Sequence, residues 1–130
     1  MTVKFELPLR IKSEWGMNRV YSGDHWSVRK HQASHVHLLV KSSIHKQCGK
    51  VKVFSEPVHI RIMYNSRLDI DNHGYISKLI IDGMKGVLIK DDDRRYVQEL
   101  IQCFHSNNTQ TVYVEVWDER NDEECIIESF

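Results

Sequence analysis

Hydrophobic residues recur along this chain in six periodic stretches. Val58-His59-Ile60-Arg61-Ile62-Met63-Tyr64 alternates at period two and predicts a strand with Val58, Ile60, Ile62 and Tyr64 on one face; Pro57 marks its entry. Lys4 to Leu9 alternates more weakly, and Pro8 places that first strand at a sheet edge or marks its end. Residues 13–24 hold two glycines, two serines and Asn18 and read as a loop. From about His25 to Gln47 the period is helical, with Trp26, Ala33, Val36, Val40 and Ile44 near i, i+3, i+4, i+7 spacing, Asp24 as N-cap and Gly49 just past the end. A second helix is predicted from Asn72 to about Lys85 through Ile76, Leu79, Ile80 and Met84, although Gly74 and Gly83 each weaken it by about 1 kcal/mol relative to alanine. Val87-Leu88-Ile89 is a short buried segment. Tyr96–Phe104 and Thr111–Trp117 read as strands, and the turn residues Ser106-Asn107-Asn108-Thr109 between them predict an antiparallel hairpin.

The expected order is β-α-β-α-β-β. That is an α/β (α+β) arrangement in one domain spanning residues 1–130, with two main helices packed on a mixed sheet. Residues 118–130 form an acidic tail that Ile126 and Ile127 would dock. A chain of 130 residues is long enough for one real core. No apolar run approaches membrane-spanning length, and the N-terminus carries no secretory pattern. Cys48, Cys103 and Cys125 form no CxxC pair and read as reduced thiols of a cytoplasmic protein.

The net charge is zero, but its distribution is not even. Residues 1–68 hold 12 Lys and Arg against 4 Asp and Glu, and residues 69–130 hold 6 against 14. The helix at residues 25–47 adds a basic outer face of Arg29, Lys30, His31, His35, Lys41, His45 and Lys46. A basic surface beside an acidic pocket suits a protein that holds phosphates and cuts them with a metal. The alternative is that the two parts neutralise each other.

The acids concentrate in one stretch. Asp69 and Asp71 flank Ile70, Asp82 follows, and Asp91-Asp92-Asp93 is contiguous. Carboxylates repel, so such a cluster spreads into solvent or gathers a cation, and hard oxygen ligands favour Mg²⁺. An extended Asp69-Ile70-Asp71 would put both carboxylates on one side and Ile70 toward the core, with Asn72 capping the next helix. Asp69, Asp71 and Gly74 also match the first, third and sixth positions of a calcium EF-hand loop, but His73 and Ile80 occupy the fifth and twelfth and break it. Lys78 and Asp82 share a helix face, either as a solvated pair or with Lys78 facing a scissile phosphate. His31 and His35 share a face but lack a third zinc ligand, and no Walker loop or persuasive cysteine nucleophile is present.

The run Asp69-x-Asp71-Asn72…Lys78-x-x-x-Asp82-Gly83…Asp91-Asp92 resembles the RusA family of Holliday-junction resolvases of bacteria and their phages. Asn18-Arg19-x-Tyr21-Ser22-Gly23-x-His25-Trp26-Ser27-x-Arg29-Lys30 looks like a segment of phage-borne members. The resemblance covers about residues 17–100. It implies that Asp69, Asp71 and Asp92 (Asp91 as the alternative) hold Mg²⁺ or Mn²⁺, and that Lys78 is the essential lysine. The spacing from Asn72 to Lys78 exceeds the family's by two or three residues. It further implies a homodimer that cuts branched DNA in recombination or repair; on that reading Arg67, Arg29, Lys30 and Lys12 or Arg19 would hold phosphates. The alternative from another class is a non-catalytic branched-DNA-binding accessory protein of a phage or prophage. A Ca²⁺-binding module and a metal phosphatase are further readings.

Overall fold

The clearest alternation becomes strand β2 (Val58–Tyr64), whose Val58, Ile60, Ile62 and Tyr64 are fully buried. A computed structural model describes residues 1–17 and 26–119. Its elements run β1 (Thr2–Leu7), α1 (Trp26–Cys48), β2, α2 (Gly74–Met84), β3 (Val97–Phe104) and β4 (Val112–Trp117), with short 3-10 turns at Ser13–Trp15 and Ile70–His73. The expected β-α-β-α-β-β order and mixed sheet are present, in one small α+β domain.

The sheet order is β1-β4-β2-β3. β4 runs antiparallel to both β1 and β2, whereas β3 runs parallel to β2 and is reached through the α2 crossover. The predicted β3–β4 hairpin is therefore incorrect. Burial explains why: Val112, Val114 and Val116 are fully buried and Tyr113, Glu115 and Trp117 nearly so, which requires an interior strand. β3 carries Gln98, Glu99 and Gln102 and leaves Leu100 and Phe104 exposed, which suits an edge. The buried Glu115 carboxylate is offset by Lys4 at 3.7 Å and Arg61 at 3.3 Å.

β1 is the other edge, and it ends at Leu7 as Pro8 predicts. Gln47, near the end of α1, accepts the Glu6 N–H and donates to the Glu6 carbonyl, each at 2.7 Å. One side-chain amide thereby covers part of an otherwise open strand edge. α1 ends on Gly49 at φ +68°, as expected, with its N–H on the His45 carbonyl. Its core-facing residues are Val36, Val40 and Ile44, with Ala33 partly buried. Trp26, expected on that face, is instead 62% exposed with the Lys30 ammonium over its ring. The Asp24 cap and the tail beyond Glu119 lie outside the described residues. Among the described residues no helix is long and apolar enough to cross a membrane.

The two helices meet at Gly83. A Cβ there would lie 2.9 Å from the Val40 Cβ and 3.3 Å from the His37 Cα, atoms that cannot move without the helix. Lys41 fastens the same crossing by donating to the carbonyls of Gly83 (2.9 Å) and Lys85 (3.3 Å) at the C-terminal end of α2. Gly83→Ala gains about 1 kcal/mol of helix propensity but forces an overpacking cost of roughly 1–3 kcal/mol. A lowered urea midpoint is expected; an unchanged or raised one would contradict the close crossing.

Candidate active site

β2 ends at Tyr64, and the chain turns at once into the loop that carries Asp69 and Asp71. A buried histidine holds this loop down. His73 is fully buried and stacks on Tyr64 at 4.2 Å, with Phe104 edge-on at 5.6 Å. Its Nδ1 lies 3.2 Å from the Ile70 carbonyl, which can only accept, so Nδ1 carries the proton. Nε2 then accepts from the Ser66 hydroxyl at 2.7 Å, and Ser66 Oγ in turn accepts the Leu68 N–H. Burial lowers the His73 pKa and outweighs the Ile70 and Asp69 carbonyls and the Asp71 charge, which act the other way. A neutral imidazole thus clamps both sides of Asp69. Below it the Tyr64 hydroxyl, Ser77 Oγ (2.5 Å) and Gln102 Oε1 (2.6 Å) form a chain joining β2, α2 and β3. Since Ser77 donates to Gln102, Tyr64 donates to Ser77.

The local geometry differs from the expectation. Only Asp69 is extended; Ile70–His73 is a 3-10 turn, and Ile70 is 38% exposed instead of core-directed. Asn72 does not cap α2, because His73 precedes that helix without a side-chain capping bond. Asp69 sits at the N-cap of the 3-10 turn but makes no side-chain capping bond either. Asp69 and Asp71 are both exposed. Within the described residues neither carboxylate has an ion pair or hydrogen bond. The EF-hand reading ends here as well, since the span from Asp69 to Ile80 is a turn and a helix, with Ile80 in the core.

The remaining acids gather at the other end of α2 around Lys85. Its ammonium lies 3.2 Å from Asp82, 3.4 Å from Asp92 and 3.6 Å from Asp91. Asp82 also accepts from Lys78 at 3.0 Å, the expected i, i+4 pair. Burial would raise the Asp82 pKa, but the two lysines outweigh it and hold the carboxyl below its usual range. Gly86, at φ +81°, turns the chain after Lys85, and its N–H bonds the Ile89 carbonyl at 2.7 Å. Asp93 is taken up by Arg95 through contacts of 2.8 and 3.1 Å. Of the three contiguous acids, Asp91 and Asp92 therefore remain turned toward α2.

Lys78 and Asp92 are brought together. They line one cavity of about 190 Å³ with Gly74, Ile81, Val97 and Leu100. Asp69 and Asp71 do not line it. Asp69 and Asp71 precede the N-terminus of α2 and Asp82 lies near its C-terminal end, while Asp92 lines a cavity with residues from Gly74 to Ile81 along the helix. Among the described residues no three His, Cys, Asp or Glu side chains converge as a metal would require. Asp92 is engaged by Lys85 and lines the Lys78 cavity, which Gly74 at the start of α2 also lines. Asp69 and Asp71 offer hard oxygens on one turn, and Mg²⁺ is ordinarily held by one or two carboxylates plus waters and substrate phosphates.

The basic residues divide in the same way. The acidic part of the chain is served by its own Lys78, Lys85 and Arg95. Among the described residues of the basic part, Lys4 and Arg61 are the only Lys or Arg side chains that reach a carboxylate. Among the described residues, then, most of the basic surface has no carboxylate partner from the acidic part. Lys12 and Arg67 come together with Arg10 in a second cavity of about 360 Å³. Lys30 is exposed and Arg29 half-buried on the first turns of α1, while Arg19 lies outside the described residues. His31 and His35 are exposed. Burial pushes the Cys48 and Cys103 thiols up, away from the thiolate a nucleophile needs.

Sequence reasoning missed Arg10, His73 and Lys85. Arg10 and Lys12 at period two flag a shared side; Lys85, three residues after Asp82, flags an ion pair; His73 had no signal beyond its place among polar residues. No family model matches the chain, and no curated protein matches it.

Proposed function

We propose that this chain is a Mg²⁺-dependent endodeoxyribonuclease that cleaves branched DNA, four-way junctions included, in the manner its resemblance to RusA-type resolvases implies. The observation that carries this reading is the placement of two exposed, unpaired carboxylates, Asp69 and Asp71, directly after a loop whose Arg67 faces a basic cavity. Asp69 and Asp71 would hold the ion. When bound, Mg²⁺ supplies an acidified water and Lewis acidity toward a phosphoryl oxygen, and Mn²⁺ serves the same purpose. The His73 clamp holds the backbone turn that carries the two carboxylates. Arg10, Lys12 and Arg67 hold the strand by its phosphates, giving affinity without sequence reading. Lys78, 69% exposed and paired at 3.0 Å with Asp82, offers positive charge to a phosphate developing negative charge. Asp82 orients that ammonium, and Asp92, held by Lys85, lines the same cavity. Two cuts on a four-way junction call for a homodimer working in the cytoplasm of a bacterial or phage-infected cell.

A second reading is favoured by one specific observation. The Arg10, Lys12 and Arg67 cavity would hold phosphates whether or not cleavage follows, so the chain would also serve as a non-catalytic branched-DNA-binding accessory protein. Incubation of a synthetic four-way junction with Mg²⁺ or with EDTA separates the two. Cleavage that EDTA abolishes supports the nuclease; binding without cleavage in Mg²⁺ and Mn²⁺ supports the accessory protein.

A further inference from the structure

Three segments far apart in the chain build the basic cavity. Arg10, Ile11, Lys12 and Ser13 come from the stretch after β1, Arg67 and Leu68 from the loop after β2, and Gln110 from the loop between β3 and β4. Each segment is held by its own contacts. The buried Trp15 anchors the first through the Ser13–Trp15 turn, and Gly16 packs against Leu68, where a Cβ would stand 3.4 Å from its methyl. The second is held by Ser66 and His73 as described above. The third is fastened to the end of β2 by Asn65, which donates to the carbonyls of Asn107 (2.9 Å) and Thr109 (2.8 Å). His105 completes it on the Thr111 carbonyl at 2.7 Å.

Three cations in one concavity repel one another. In proteins such groups are ordinarily offset by carboxylates. Here, among the described residues, none of Arg10, Lys12 and Arg67 has an ion-pair partner, although the nearby Asp69 is itself unpaired. The lining adds the Ser13 hydroxyl and the Gln110 amide, a donor set suited to tetrahedral oxyanions. The backbone of all three segments is fixed in advance, so only the exposed Arg10, Lys12 and Arg67 side chains need to order on binding.

We infer that the cavity lined by Arg10, Lys12, Ser13, Arg67 and Gln110 is a phosphate-binding site that seats one phosphate group of a nucleic-acid strand beside the Asp69–Asp71 loop. This deepens the nuclease reading and rests on it for the identity of the strand, though not for the phosphate chemistry. The site is separate from the Lys78–Asp92 cavity and fixes where the strand lies relative to Asp69.

The test is an amide NMR titration of the full chain with inorganic phosphate at low salt. Saturable shifts at Ser13, Leu68 and Gln110 are expected, lost in Arg10→Gln and kept in Lys52→Gln, with the remaining spectrum of each variant showing that it is folded. Short oligonucleotides of one sequence, with and without a 5′-phosphate, distinguish the source. Equal binding assigns an internal phosphodiester, and preference for the phosphorylated strand assigns a terminal phosphate. On a four-way junction, Arg10→Gln should weaken binding and lower the salt slope by about 1. Unchanged phosphate shifts and salt slope in Arg10→Gln would overturn the site. The two readings fail separately: phosphate shifts in a protein that cleaves no DNA uphold the site and remove the nuclease, and Mg²⁺-dependent cleavage without those shifts does the reverse.

Discussion

Asp71→Asn is expected to reduce Mg²⁺-dependent cleavage of a four-way junction by roughly 10²–10³, the cost of removing one preorganised electrostatic group from a site of charge development. Folding should be almost unaffected. Asp71 is exposed and makes no ion pair or side-chain hydrogen bond among the described residues, so its replacement by an isostere belongs with surface changes worth within about 0.5 kcal/mol. Binding of the junction should hold or tighten, because one negative charge is withdrawn from beside the phosphates. Single-turnover cleavage and a binding titration on the same preparation read both quantities. Cleavage at a near wild-type rate would remove Asp71 from the site.

His73→Ala should produce the largest loss of stability, about 3 kcal/mol by the scale of buried aromatic deletions and unsatisfied polar groups. The substitution removes a ring stacked on Tyr64 and leaves the Ile70 carbonyl and the Ser66 hydroxyl without their partner. A fall in melting temperature of about 10 °C is expected for a domain of this size. The pH dependence gives an independent signature. The folded pKa of His73 lies below its unfolded value, so the unfolded chain binds the proton more readily. Its contribution is complete above the ordinary histidine pKa of about 6.5 and declines as pH falls through the lower folded value. In His73→Ala the loss of stability from about pH 7 to about pH 5 should therefore be smaller than in the wild type. His59 works in the opposite sense. Burial opposes its charge, but hydrogen bonds to Glu99 (2.8 Å) and Glu119 (2.5 Å) outweigh this and raise its pKa. Its contribution is present below about pH 6.5 and is lost as pH rises through the raised value. Urea unfolding at the two pH values measures the difference, and equal losses in variant and wild type would mean that His73 is not buried neutral.

Periodicity along the chain revealed the elements but not all of their partners. β2, the two helices and Gly49 follow from alternation, helical spacing and the need for positive φ. The pairing of β3 does not, because the turn residues at Ser106–Thr109 fit a hairpin as well as they fit the loop that Asn65 holds. The decisive signal was the burial demand of β4, whose residues are apolar or compensated on both faces and so belong inside a sheet. Charge pattern located the acidic groups correctly while leaving their distances open. Only the fold shows that Lys85 gathers Asp82, Asp91 and Asp92, and that Asp92 shares a cavity with Lys78 and Gly74. His73, which breaks the calcium-loop pattern, proved to be the core anchor of that loop. Its role depends on Tyr64 and Phe104, residues from two strands that no local spacing connects.

The central claim is that this chain cuts DNA at branches. Its most direct test compares Mg²⁺-dependent cleavage of four-way, Y-shaped and linear DNA of matched sequence. Cleavage of the branched substrates well above the linear duplex, abolished by EDTA, is the predicted result. Intact branched DNA in both Mg²⁺ and Mn²⁺, under conditions where the protein binds it, would contradict the claim.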